Sequence, residues 1–200
     1  MLRSITFFIT FFFIVGCGDS QSKTETFKIE NFEEHYSDEI KGTLLLPLGF
    51  QKITKEKLPY VISEEDSTSV LKRLIDNLEN DRRDYILFHK ENNLNDVVLI
   101  HKSEFVDFSK KDANQYVGLL ENNMKSIHGS GNYSRLQKKM SQTERSKYIK
   151  VKYKINNQNK SYYQTQYVVT SAATTFGLIE VRSSSNDYED LIKRINYLVN

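Results

Sequence analysis

An alternation of apolar and charged residues in the last third of the chain constrains the fold more than any other feature. Between residues 148 and 155, every second side chain is apolar or aromatic, and the positions between them hold Lys150, Lys152 and Lys154. Successive side chains of a β-strand point to opposite faces of the sheet. The pattern therefore predicts a strand with one buried face and one solvated, basic face.

Turn-forming residues separate further strand-like segments on both sides of this one. The Asn-rich run 156–160 leads from it into the next strand, and the run 92–95 separates the two arms of a predicted hairpin. An earlier apolar segment contains Pro47 and Gly49, which is typical of an edge or bent strand. The predicted strands are 43–50, 85–90, 97–108, 133–140, 148–155, 162–171 and 175–183.

Three segments repeat their apolar residues with the spacing of an amphipathic helix. Ser63 and Ser109 each precede an aspartate by three residues, an arrangement similar to a capping box, and Gly129 can end the second segment. Ser185 or Asn186 caps the third. The predicted helices are 63–80, 109–128 and 187–199.

Short turns between consecutive strands predict an α+β fold, a mostly antiparallel β-sheet packed with about three amphipathic helices. Residues 26–200 form one domain in this prediction, because no linker or repeat interrupts them. The element order, the early segment Leu46-Pro47-Leu48-Gly49-Phe50 and the closing helix together resemble the PsbP-like fold. That resemblance implies a small exported or lipid-anchored protein, mainly of the non-enzymatic binding or assembly kind, and it transfers no site residue.

The N-terminus has the layout of an export signal. Arg3 precedes an apolar run over residues 5–15, and eleven helical residues reach about 16 Å, roughly half a bilayer core. The segment Ile14-Val15-Gly16-Cys17 resembles the bacterial lipobox. The resemblance implies a signal peptide over residues 1–16 and a lipid-modified Cys17 that carries acyl chains such as palmitate. An ordinary secretory signal and an uncleaved anchor are the alternatives.

Cys17 is the only cysteine of the chain, which excludes an intramolecular disulfide and a multi-thiolate zinc site. Residues 18–25 are small and polar, and they are predicted to form a flexible tether between the lipid and the domain. The predicted location is therefore outside the cytoplasm, with the chain lipid-anchored to the bacterial cell membrane or the outer membrane.

The net charge of +2 hides two opposed regions. Residues 132–160 contain nine basic residues and one acid, whereas residues 18–66 contain eleven acids and six lysines. A basic strand face fits anionic headgroups or an acidic envelope partner, and a merely solvated face is the alternative. Nucleic acid is excluded because the chain is exported. The candidate binding residues are Lys138, Lys150, Lys152 and Lys154.

No residue pattern predicts catalysis, a metal or a cofactor. His89 and His101 lie in the two arms of the predicted hairpin, and whether they share a face depends on the length of its loop. The run 128–131 is not a nucleophile elbow. Asp187 and Glu189 are predicted to complement a helix dipole in a first helical turn.

The sequence thus predicts a membrane-anchored bacterial lipoprotein that is a non-enzymatic binding or assembly factor in the cell envelope. The alternative is a small-ligand or lipid carrier with a pocket between the sheet and the helices. A deep apolar cavity would indicate the carrier, and a cleft that joins His89 or His101 to carboxylates would indicate a hydrolase.

Overall fold

The structure is a computed structural model that describes residues 31–54, 58, 72, 75–76, 79–80, 84–91, 93–157, 160–172 and 174–197. The predicted signal peptide, Cys17 and the predicted tether lie outside the described residues. The predicted helix over 63–80 also lies largely outside them. Its described residues are Lys72, Ile75, Asp76, Glu79 and Asn80, and these are helical.

Two antiparallel sheets, two helices with described bounds and the helical residues of segment 72–80 make up the described fold. One sheet has seven strands in the order β3-β4-β5-β9-β8-β7-β6, and the other has three in the order β1-β2-β10. The elements are β1 (Phe32–Ser37), β2 (Gly42–Pro47), β3 (Phe50–Ile53), β4 (Tyr85–Lys90), β5 (Asn93–Ser103), α1 (Lys110–His128), β6 (Tyr133–Gln142), β7 (Ser146–Asn157), β8 (Lys160–Ser171), β9 (Thr175–Arg182), α2 (Glu189–Lys193) and β10 (Asn196–Tyr197).

The seven-stranded sheet separates two hydrophobic cores. On one face, Ile149, Val151 and Tyr153 of β7 share a core with the buried stripe of α1. On the other face, Tyr148 of β7 shares a core with residues of β2 and α2. The period-two pattern of β7 places its side chains alternately in these two layers. Both faces of the central strands are covered as a result.

Helix α1 follows the sequence prediction closely. The Ser109 side chain accepts a hydrogen bond from the Asp112 backbone, and the Asp112 carboxylate accepts one from the Ser109 N–H in return. This reciprocal arrangement satisfies two amide groups that the first turn leaves without helical partners. Gly129, at φ 75°, ends the helix.

The prediction of about three amphipathic helices is wrong. Only two helices have both ends within the described residues, and one of them, α2, has only five residues. The predicted helix over 187–199 stops early because residues 196–197 pair with β2 as a third strand. Gly42 permits this pairing, since a Cβ at that position would stand 2.6 Å from the Asn196 carbonyl oxygen.

The predicted strand over 43–50 is two strands in two different sheets. The turn between β2 and β3 contains Gly49, whose φ of 86° suits a residue without a side chain. The chain passes there from the small sheet to the edge of the large one. Strand β1 was not predicted, because its sequence FEEHYS has little apolar alternation.

The predicted hairpin and the C-terminal meander are confirmed. Strands β4 and β5 pair in antiparallel register, and so do β6 with β7, β7 with β8 and β8 with β9. Strand β5 begins and ends earlier than the predicted 97–108. Residues 104–108 form an irregular loop that leads into α1.

Candidate functional site

The predicted basic strand face is not solvated. Lys150 is 3% exposed and Lys152 is 8% exposed, while Lys154 is half-buried. The segment 183–195, which follows β9 and includes α2, supplies groups that contact this face of β7. The expectation of a solvated lysine face is therefore wrong for Lys150 and Lys152.

Acidic side chains from the covering segment pair with the two buried lysines. The Lys150 Nζ lies 2.9 Å from Asp187 and 2.8 Å from Glu189, and the Lys152 Nζ lies 2.8 Å from Asp187. Lys152 also donates a hydrogen bond to the Ser185 carbonyl oxygen. Both ammonium groups are thus neutralised within the fold.

Neighbouring strands complete the network. Lys139 on β6 donates to Glu189 at 2.7 Å, and the Tyr148 hydroxyl donates to the same carboxylate at 2.7 Å. The Tyr167 hydroxyl on β8 donates to Asp187 at 3.4 Å. We call this set the charge network; its members are Lys139, Tyr148, Lys150, Lys152, Tyr167, Asp187 and Glu189.

The network keeps its carboxylates ionised although they are partly buried. Burial alone would raise the pKa of Asp187, but hydrogen bonds from Lys152 and Lys150 outweigh burial and lower it. Burial likewise opposes ionisation of Glu189, and hydrogen bonds from Lys139 and Lys150 lower its pKa to about 2. Burial would lower the pKa of Lys150, yet the same carboxylates raise it.

Glu180 lies near the network. Within the described part of the chain, no lysine or arginine donates a hydrogen bond to its carboxyl group. It has no exposed surface, and its two carboxylate oxygens each lie 3.2 Å from the Tyr188 backbone nitrogen. Burial raises its pKa to about 8, although the Tyr188 N–H partly offsets that rise. Glu180 is therefore largely protonated at pH 7. The sequence signal for it was one acid inside the apolar run of β9.

Lys138 stands apart from the other three candidate lysines. It is exposed on β6, and its Nζ donates to the Asn114 side chain of α1 at 2.6 Å. Its pairing partner in β7 is Val151, which belongs to the opposite face from Lys150. The structure therefore does not gather the four lysines into one surface.

The two hairpin histidines share a face but not a site. His89 pairs with Val97 and His101 pairs with Tyr85, so both rings lie on the same side of the hairpin. Four residue positions separate them along the strands, about 13 Å at the rise of a β-strand. Across the described residues, no three His, Cys, Asp or Glu side chains meet where a metal ion could bind.

Two open clefts lie at one end of the seven-stranded sheet, which we call the turn end. It comprises loop 104–108, turn 143–145, residues 172 and 174 between β8 and β9, and junction 193–196. One cleft measures about 680 Å³ and the other about 290 Å³, and both border turn 143–145.

The larger cleft is predominantly basic. Among the described residues, Arg145, Lys193 and Arg194 line it together with one acid, Glu144, and Lys193 also pairs with Asp190 at 2.8 Å. The Arg145 guanidinium donates to the Asn196 side chain at 3.2 Å, so Arg145 reaches from the β6–β7 turn to β10. A charged, open cleft of this kind is not the deep apolar cavity that the carrier alternative predicts.

The smaller cleft borders the loop that follows β5. Phe105 and Asp107 line it on one side, and Lys147 of β7 lies opposite. Lys147 and Asp107 form an ion pair at 2.7 Å. Sequence reasoning missed this region, because residues 104–108 were placed in a strand.

None of the helices among the described residues is long and apolar enough to span a bilayer. The proposed attachment residue, Cys17, lies outside the described residues, so its modification stays a prediction.

Comparison with known proteins shows a likeness of architecture. No family model matches the chain, and no curated protein matches it significantly. The solution structure of cyanobacterial PsbP (CyanoP) from Synechocystis sp. PCC 6803 is similar to 82% of this chain and 86% of that chain, with 11% sequence identity and a TM-score of 0.48. PsbP is the family whose fold the order of elements was expected to resemble. A likeness at this level assigns no partner and no site residue.

Proposed function

We propose that the chain is a bacterial lipoprotein, attached to a membrane through Cys17, that acts as a non-enzymatic binding factor in the cell envelope. The lipobox-like segment Ile14-Val15-Gly16-Cys17 supports the attachment. The binding role is carried by one observation, the open basic cleft at the turn end. Its partner is anionic in this proposal, because three cations and one acid line the cleft.

The site of this proposal differs from the one that the sequence favoured. The charges of Lys150 and Lys152 are paired with Asp187 and Glu189, so a partner would have to break buried ion pairs to reach them. Arg145, in contrast, is exposed on a turn and borders both clefts. Binding at the turn end needs no rearrangement of the core.

The attachment is tested by Cys17→Ser in the bacterial host. Lipidated chain is expected in the membrane fraction after a high-salt wash, whereas Cys17→Ser is expected in the soluble fraction or as unprocessed precursor. The high-salt wash removes chains that are held to the membrane by charge alone. Unchanged processing and unchanged membrane retention of Cys17→Ser would contradict the attachment.

The binding role is tested by a matched pair of charge reversals. Arg145→Glu alters the basic cleft, and Lys160→Glu makes a similar charge reversal at the exposed first residue of β8, at the opposite end of the sheet. Detergent-solubilised membranes serve as the source of partners for the immobilised chain. Loss of retained components with Arg145→Glu but not with Lys160→Glu is expected. Equal retention by both variants would refute the cleft as the binding site.

A further inference from the structure

The loop 104–108 displays two consecutive apolar side chains to solvent. Phe105 is 60% exposed and Val106 is 46% exposed. Single exposed apolar residues are ordinary on protein surfaces, and the described part of this chain has several. An adjacent pair in one loop is a different feature, because the two side chains together present apolar surface at one place, and we call this pair the apolar projection or tip of the loop.

The backbone beneath this projection is held by buried threonines. The Val106 N–H donates to the Thr175 hydroxyl at 3.0 Å, and the Thr170 hydroxyl donates to the Val106 carbonyl oxygen at 2.8 Å. Because Thr170 uses its proton there, Thr175 donates in the 2.9 Å contact between the two hydroxyls. Phe108, which is 4% exposed, anchors the end of the loop in the core.

The exposure of Phe105 and Val106 is thus a built feature of the fold. Both threonines are nearly inaccessible, and each belongs to a central strand of the large sheet. A loop fixed in this way loses little conformational freedom when its tip enters an apolar environment.

Charges around the projection favour an anionic surface. Asp107 is neutralised by Lys147. The neighbouring cleft adds Arg145 and Arg194 against Glu144, together with Lys193, which pairs with Asp190. An apolar tip flanked by a net positive charge is the arrangement that interfacial membrane contacts use.

We propose that the turn end docks on the bilayer, with Phe105 and Val106 entering the headgroup region and the basic cleft facing lipid phosphates. This rests on the proposed function, and it names the lipid surface as the anionic partner of that end. Thirteen residues lie between Cys17 and Asn31, and the fourteen steps along this chain span at most about 50 Å. An attached domain is therefore confined near the membrane, where a small docking surface suffices.

The absence of tryptophan from the sequence allows a direct test. Phe105→Trp places a single fluorescent reporter at the tip of the loop. Leu119→Trp is the matched control, since Leu119 is 63% exposed on α1, outside the turn end. Each full-length chain, purified with its lipid, is reconstituted into vesicles of phosphatidylethanolamine and phosphatidylglycerol, with and without brominated lipid. Circular dichroism confirms the fold, and Val106→Trp replaces Phe105→Trp if that chain does not fold.

Docking predicts that brominated lipid quenches Phe105→Trp at least about threefold more than Leu119→Trp, with a blue-shifted emission for Phe105→Trp alone. Equal quenching of the two chains, or none in either, would overturn the docking while vesicle flotation of the protein still upheld the attachment. A chain that does not float with the vesicles would overturn both. Quenching that persists when phosphatidylglycerol is omitted would overturn the role given to the basic cleft.

Discussion

Replacement of Glu180 by glutamine should stabilise the protein, and the gain should grow with pH. Glu180 has no exposed surface, and its carboxylate accepts hydrogen bonds from one backbone N–H, that of Tyr188. Glutamine has nearly the same shape, and its side-chain oxygen can accept that same hydrogen bond. Glu180→Gln therefore removes the ionisable proton and changes little else.

The sign follows from the two pKa values of the side chain. In the folded protein burial raises the pKa of Glu180 to about 8, whereas the ordinary value of 4.5 applies to the unfolded chain. Below pH 4.5 both states carry the proton, so stability is unaffected. Between pH 4.5 and 8 the unfolded state ionises first, and the free energy of unfolding falls as pH rises. Above pH 8 both states are ionised, and the loss is complete.

The magnitude follows from the same values. With about 1.4 kcal/mol for each pH unit of difference, ionisation of Glu180 lowers the free energy of unfolding by about 1 kcal/mol at pH 5 and by about 4 kcal/mol at pH 8. The stability advantage of Glu180→Gln should therefore increase by about 3 kcal/mol between these two pH values. The pKa values of Asp187 and Glu189 are both lowered, so those groups titrate below this window.

Urea unfolding followed by far-ultraviolet circular dichroism measures this difference. Both chains are unfolded at pH 5 and at pH 8, and the difference between their free energies of unfolding is compared across the two conditions. A difference that is the same at pH 5 and pH 8 would refute the protonation of buried Glu180.

Three further changes probe other parts of the structure. Lys150→Met should lower the free energy of unfolding by about 3–5 kcal/mol in urea denaturation, because it removes the cation that both partly buried carboxylates share. A loss under 1 kcal/mol would contradict the network. Gly177→Ala should lower the free energy of unfolding by about 1–3 kcal/mol in the same assay, since the added Cβ would overlap the buried His101 ring. An unchanged midpoint of urea unfolding would count against that packing. Ser109→Ala should lower the free energy of unfolding by about 1 kcal/mol in thermal unfolding, and Ser109→Asp should restore most of that loss. Equal stabilities of the original chain and Ser109→Ala would argue against the cap.

Local patterns determined a large part of the fold. The alternation in β7 and the short turns on both sides of it predicted the meander, because antiparallel neighbours need only a few residues to reverse direction. The capping residues Ser109 and Asp112 predicted the start of α1, since the cap is formed within a single turn. These features depend on residues close together in the chain.

The end of the chain shows where local pattern failed. The apolar spacing of Leu191, Ile192 and Ile195 fits a helix, and all three are buried in the core that includes α2. The following backbone nevertheless pairs with β2, which lies about 150 residues away in the sequence. Helix periodicity records which side chains are buried, and it does not record whether a sheet edge is available for the backbone.

The lysines of β7 show the same division for the candidate site. Their alternation correctly placed Lys150 and Lys152 on one face of a strand, because that follows from backbone geometry alone. Whether that face meets water or a covering segment depends on Asp187 and Glu189, more than thirty residues further along. Paired charges can be buried where single ones cannot. Only the tertiary structure therefore decided that Lys150 and Lys152 lie inside the protein, and that an exposed cation such as Arg145 lies at the turn end instead.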